Sequence, residues 1–129
     1  MATMHPRPIL TSASILQGLI GALALFAPEV ALAGIGLPDG DTARLMMGLL
    51  GGLLLGFSYL NWMARGTPVG GIYGRPISGA NLVLFLTSAL TLGKGADLSG
   101  TAPIRWVVVA LFGVYAVLFG RMLLTHPQD

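Results

Sequence analysis

ARLMMGLLGGLLLGFSYLNWM, residues 43–63, decides the fold. Arg44 is its only charged residue, so nearly the whole stretch is apolar or small. About 20 such residues in an α-helix cross a bilayer core of about 30 Å. In hydrocarbon the backbone must satisfy its own hydrogen bonds, and a helix does this within one segment. The stretch is therefore read as a membrane-spanning helix.

Three further stretches read the same way, at 9–27, 77–93 and 104–124. The rest of the chain agrees. Hydrophobic residues make up 54% of the 129 residues and charged residues only 9%, where a soluble domain carries about 25% charge. Mean hydropathy is +0.80. A chain this short has a large surface for its volume, and too little charge to cover it in water. The expectation is an all-α, membrane-embedded bundle of four transmembrane helices, up-down-up-down, forming a single domain over residues 1–129.

The connections carry stop and start signals. Pro28 ends the first span, and Glu29 to Leu32 suggest a short helical turn at the interface. Asp39-Gly40-Asp41-Thr42 offers a turn and an N-cap for the second helix. Gly66 to Gly74 is a loop by composition. Pro76 suits the first turn of the third helix, and Thr101 with Pro103 that of the fourth. Pro127 closes it. Ala31-Leu32-Ala33 matches a small-x-small signal-peptide cleavage site, but the apolar run before it is long for a signal peptide, so a retained helix is expected.

Loop charges set the orientation. With the N-terminus inside, Arg7, Arg65, Arg75 and Arg121 lie on the cytoplasmic side, and Arg44, Lys94 and Arg105 on the other. The Lys/Arg count, four to three, favours both termini in the cytoplasm. The net charge of +2 includes no basic run, so nucleic acid is not an expected partner. With no cysteine, disulfides, thiolate metal sites and cysteine nucleophiles are excluded. The two histidines, His5 and His126, lie near the chain ends, which excludes a histidine metal site inside the bundle. No nucleophile elbow, carboxylate pair or HExxH motif is present. No cofactor and no metal is expected.

Small residues suggest how the helices meet. Gly48, Gly52 and Gly56 share one face of the second helix, and Ser14, Gly18 and Ala22 share one face of the first. Close approach across small residues drives association where lipid supplies no hydrophobic force. The expectation is that these faces pack together, with a face turned to lipid or to a second subunit as the competing reading. Gly113 and Gly120 mark one face of the fourth helix, and Trp62 and Trp106 suit interface anchors.

Polar side chains at membrane depth turn toward protein or a cavity. Gln17, Ser58, Asn61, Asn81, Thr87, Ser88, Tyr115 and Arg121 qualify. Of these, Gln17, Ser58, Asn61, Asn81 and Tyr115 are the candidate ligand-binding residues. The topology puts several amides in the cytoplasmic half, either as interhelical glue or around a cavity. The loop Gly70-Gly71-Ile72-Tyr73-Gly74 beside Arg75 offers an anion site, or simply a glycine-rich turn.

The stretch FSYLNWMARGTPVGGIYGRPISGANLVLFLTSALTLGK, Phe57 to Lys94, resembles part of a group of small, uncharacterised bacterial four-helix integral membrane proteins. FAPEVALAGIGL and LFGVYAVLFGRMLLTHP resemble the same group. More distantly the chain is similar to DoxX-like membrane proteins. The resemblance implies a bacterial inner membrane and a four-helix fold, and no particular activity. Relatives in that group often carry a histidine where Leu84 stands, so histidine-dependent chemistry would not extend to this chain. Three functional readings follow. The first is a non-enzymatic protein, an accessory subunit or a small binder of an apolar ligand such as a lipid or quinone. The second is a homo-oligomeric channel or transporter for a small solute. The third is a subunit of a membrane redox or lipid-modifying enzyme. The bilayer is the expected surround, with a second copy or another membrane protein as partner.

Overall fold

The computed structural model describes residues 6–66, 74–94 and 103–124. Five helices account for them: α1 Pro6–Phe26, α2 Pro28–Gly34, α3 Asp41–Met63, α4 Gly74–Lys94 and α5 Pro103–Leu124. Four of these are long and apolar enough to span a membrane. The chain is an all-α four-helix transmembrane bundle, with α2 as a short added helix between the first two spans. Large apolar side chains such as Leu19, Leu53, Met63, Val83 and Val117 are exposed. In water this would be an unstable surface; against lipid tails it is the expected one.

The closest backbone approaches are within two pairs, α1 with α3 and α4 with α5. Glycine makes the first pair possible, but in a different register from that expected. A Cβ on Gly51 would lie 2.7 Å from the Gly21 carbonyl oxygen and 2.7 Å from the Leu25 nitrogen, and one on Gly21 would lie 2.9 Å from the Gly51 oxygen. The two backbones touch there. Gly48, Gly52 and Gly56 instead face open space, with no atom within 4 Å of an added Cβ. Their expected packing against α1 is thus corrected. The contact face of α3 runs through Gly51, Leu54, Ser58 and Asn61, turned one residue from the glycine repeat. On α1, Ser14 and Gly18 do face α3, where a Cβ on Gly18 would lie 2.9 Å from the Ser58 hydroxyl. Gly21, rather than Ala22, continues that face.

Serine reinforces the seam. The Ser14 hydroxyl donates to the Ser58 carbonyl at 2.8 Å, and the Ser58 hydroxyl donates to the Ser14 carbonyl at 2.7 Å. In the second pair, Phe85 of α4 is fully buried. Its ring meets Phe112 edge-on at 5.1 Å and stacks with Tyr115 at 5.1 Å and Phe119 at 5.8 Å. Leu10 and Ala13 of α1 join this cluster and carry the core across to the other pair. Gly113 faces open space, and Gly120 makes ordinary contact with Leu82.

The α2 segment is part of the core. Pro28 opens it, and a Schellman motif closes it: Leu37 N–H donates to the Leu32 carbonyl and Gly36 N–H to that of Ala33. Gly36 supplies the positive φ of 75° that this turn requires. Leu32 is buried against Ala24 and Met47. The Ala31-Leu32-Ala33 sequence is therefore a packed helical turn that ties α1 to α3. At the start of α3, Gly40 is the cap residue and no side chain caps it. Asp39 accepts from the Gly40 N–H instead and forms an ion pair with Arg44 at 2.6 Å.

Candidate functional site

The two pairs are joined by an amide hub. Gln17 of α1, Asn61 of α3 and Asn81 of α4 are all fully buried. Asn61 Nδ2 donates to Gln17 Oε1 and to Asn81 Oδ1, each at 2.7 Å. Asn81 Nδ2 donates back to Asn61 Oδ1 at 2.7 Å and to the Ile77 carbonyl at 2.9 Å. Gln17 Nε2 donates to Asn81 Oδ1 at 3.2 Å. Both N–H groups of each asparagine are thus used within the protein. Among the described residues no buried side-chain nitrogen or oxygen lacks a partner. An amide has no titratable proton near neutral pH, so the hub offers no acid–base chemistry, and its hydrogen bonds are directed inward at one another.

In this arrangement the three residues bind one another, the bonding expected of interhelical glue. Two other candidates lie elsewhere. Ser58 belongs to the clasp with Ser14. Tyr115 is half-buried in the aromatic stack on Phe85 and makes no hydrogen bond to the amides among the described residues. Its position four residues before Phe119 and three after Phe112 was the available signal, since that spacing lines one helix face. Arg121 is exposed. The loop Gly70 to Tyr73, with Thr101, Pro127 and both histidines, lies outside the described residues.

The cavity is in the opposite half of the bundle. A cleft of about 270 Å³ opens between the two helix pairs beneath α2. Ile20, Ala24, Met47 and Leu54 form one wall, and Thr87, Ser88, Leu92 and Phe112 the other. Thr87 and Ser88, noted above as polar at membrane depth, are thus cleft residues. The Thr87 hydroxyl is engaged by its own helix, donating to the Val83 carbonyl at 2.6 Å. A larger but more open groove of about 470 Å³ runs over the α1–α3 seam, and its serines are engaged in the clasp.

Beside the cleft lies a charge that the sequence reading counted only for orientation. Arg105, in the first turn of α5, is nine-tenths buried. Its Nε–H donates to the Leu92 carbonyl at 3.0 Å and its Nη1–H to the Ile35 carbonyl at 3.3 Å. Leu92 lies in the last turn of α4, where carbonyls have no intrahelical partner. Ile35 caps α2, and the Schellman motif does not use its carbonyl. Arg105 thus ties the ends of α2 and α4 to the start of α5. Among the described residues no cluster of three metal-ligating side chains is present. Comparison with family models, with curated proteins and with solved structures found no match.

Proposed function

We propose that this protein is a non-enzymatic membrane protein that holds one apolar chain, such as that of a lipid, in the cleft between its helix pairs. The cleft itself carries the reading. Its volume of about 270 Å³ falls just below the range for small-molecule sites, about 300–1,000 Å³, as suits a single chain, and such sites are mostly apolar with a few polar groups. The amide hub and aromatic stack hold the far half closed, so the pairs separate only at the α2 end. A channel built from several copies needs a polar face turned outward. Here the amides turn inward, and the outer face of α3 carries Gly48, Leu49, Gly52, Leu53 and Gly56, which favours the binding reading over the transport one.

We further propose a bacterial inner membrane, with both chain termini in the cytoplasm. The Lys/Arg bias and the resemblance described above support this. It places the hub in the cytoplasmic half and the cleft toward the outer leaflet.

The test is native mass spectrometry of the protein purified in a gentle detergent. A retained lipid is expected at one per chain. Thr91→Trp, which fills the cleft from an exposed position on its wall, is expected to remove it and leave the bundle folded. Retention unchanged in that variant would show the lipid to be bound on the outer surface.

A further inference from the structure

We infer that the chain held in the cleft belongs to an anionic amphiphile, whose acidic headgroup is taken by the Arg105 guanidinium. The inference rests on the chain-binding reading above and adds the chemistry of the headgroup. Both carbonyls that Arg105 bonds belong to cleft-lining residues, Ile35 and Leu92, so the guanidinium lies directly behind the cleft wall at the α2 end. Those partners are neutral. Each carries the partial negative charge of a helix end, and neither is a counter-ion. The one ion pair among the described residues is Arg44 with Asp39, and it does not involve Arg105.

A guanidinium presents five N–H donors in a planar fork. Two are used, and the Nη2 group makes no hydrogen bond within the described residues. Among the described residues a nine-tenths buried cation thus has only neutral partners, beside an apolar cleft. Burying an unpaired charge is costly, and a carboxylate or phosphate on the Nη2 edge removes the cost with a charge-assisted, bidentate contact.

The depth is also right. Trp106 is partly exposed at 39%, as suits a residue at the headgroup level, and Arg105 precedes it. From this end the cleft runs along α3 between Met47 and Leu54, about 10 Å at the rise of an α-helix. A headgroup on Arg105 thus sits at the interface with its chain pointing into hydrocarbon. The shared chemistry is one acidic headgroup on an acyl chain, and the experiment separates a fatty acid from an anionic phospholipid.

The full chain in dodecyl maltoside is offered phosphatidylglycerol, phosphatidylcholine and oleate at equal concentration, with retention read by native mass spectrometry. Retention of phosphatidylglycerol or oleate about tenfold above phosphatidylcholine is expected, the equivalent of 1.4 kcal/mol, and whichever is held more identifies the source. Arg105→Gln keeps a donor for the helix-end carbonyls and is expected to abolish the preference. Arg105→Lys keeps the charge and is expected to retain part of it. Should the glutamine variant not fold, added salt weakening the parent's preference serves the same purpose. Equal retention of phosphatidylglycerol and phosphatidylcholine by the parent would overturn the headgroup assignment and leave chain binding intact. A preference that appears only in Asp97→Asn would overturn it too, making Asp97 the counter-charge. Failure to retain any lipid would instead bring down the chain-binding reading.

Discussion

The side-chain amides of Asn61 and Asn81 donate to each other, Nδ2 to Oδ1 in both directions at 2.7 Å. This reciprocal pair crosses from α3 to α4, and so from one helix pair to the other. The backbone contacts lie mainly within each pair. Lipid supplies no hydrophobic force to press the pairs together, so directed hydrogen bonds between them have unusual weight. Gln17 extends the pair to a third helix.

This geometry predicts a particular non-additivity. Asn61→Leu alone orphans Gln17 Oε1 and takes one of two partners from each polar atom of Asn81, and an orphaned buried polar group costs about 1–3 kcal/mol. Changing Asn61 and Asn81 together still strands Gln17. The triple variant Gln17→Met, Asn61→Leu, Asn81→Leu removes the whole hub and is expected to be markedly less destabilised than the three single losses added. Melting in detergent, read as a mutant cycle, measures this. Simple additivity would mean that the amides do not act as one network.

Glycine register gives a second expectation. Gly51→Ala places a methyl group against the backbone of Gly21 and Leu25. Backbone has no rotamer with which to yield, so a loss of about 1–3 kcal/mol is expected, as for other overpacked sites. Gly52→Ala meets open space and is expected to be neutral or to stabilise by up to about 1 kcal/mol through helix propensity. Equal melting losses in the two variants would show that the outer glycine face is also in contact, as in a dimer.

The four spans were legible because about 20 apolar residues in a row admit few other folds. Pro28, Pro103 and the Asp39–Thr42 turn set boundaries that the structure keeps closely. The facing of α3 was not legible. Its glycines at 48, 52 and 56 form the conspicuous repeat, while the residue in contact, Gly51, stands alone beside Gly52. A single helix cannot show which of two adjacent glycines faces its neighbour; the clasp at Ser58 and the hub at Asn61 decide it. The amides could be placed in one membrane half from sequence, but their mutual bonding depends on side-chain directions across three helices. The cleft was hidden for a related reason: a space is defined by where side chains stop, and Arg105 reads as an ordinary loop cation until α2 and α4 end beside it.

Acid should act at Asp39. The hydrogen bond from Arg44 holds its carboxyl below the ordinary value of 3.8, with the Gly40 N–H and the Arg44 charge adding to the effect. A depressed carboxyl contributes stability above its ordinary value and loses it as the pH falls through the folded-state value. Asp39→Asn is therefore expected to lower the melting temperature slightly at neutral pH. The gap between variant and parent should close below pH 3.8. The effect is small because the pair is exposed and screened. A gap of constant size down through the acid range would assign the loss to the turn backbone and not to the ion pair.

The proposed orientation decides which leaflet supplies the cleft. In the sequence, Gly40 directly precedes α3 and Ser99 falls between α4 and α5, whereas Thr67 falls between α3 and α4 and Gln128 follows α5. Since the protein has no cysteine, a cysteine introduced singly at each position gives one clean report. In intact cells an impermeant thiol reagent is expected to label the Gly40 and Ser99 substitutions and to spare those at Thr67 and Gln128. That pattern would put Arg105 and the cleft at the outer leaflet. Labelling at Thr67 and Gln128 instead would invert the bundle and turn the cleft to the cytoplasmic leaflet. Labelling at all four sites would mean that both orientations occur, as a four-to-three charge bias allows, since the positive-inside preference grows with the excess of Lys and Arg on one side. Adding two lysines beside Arg65 should then drive the population to the first pattern, and failure of that shift would remove the charge argument for orientation.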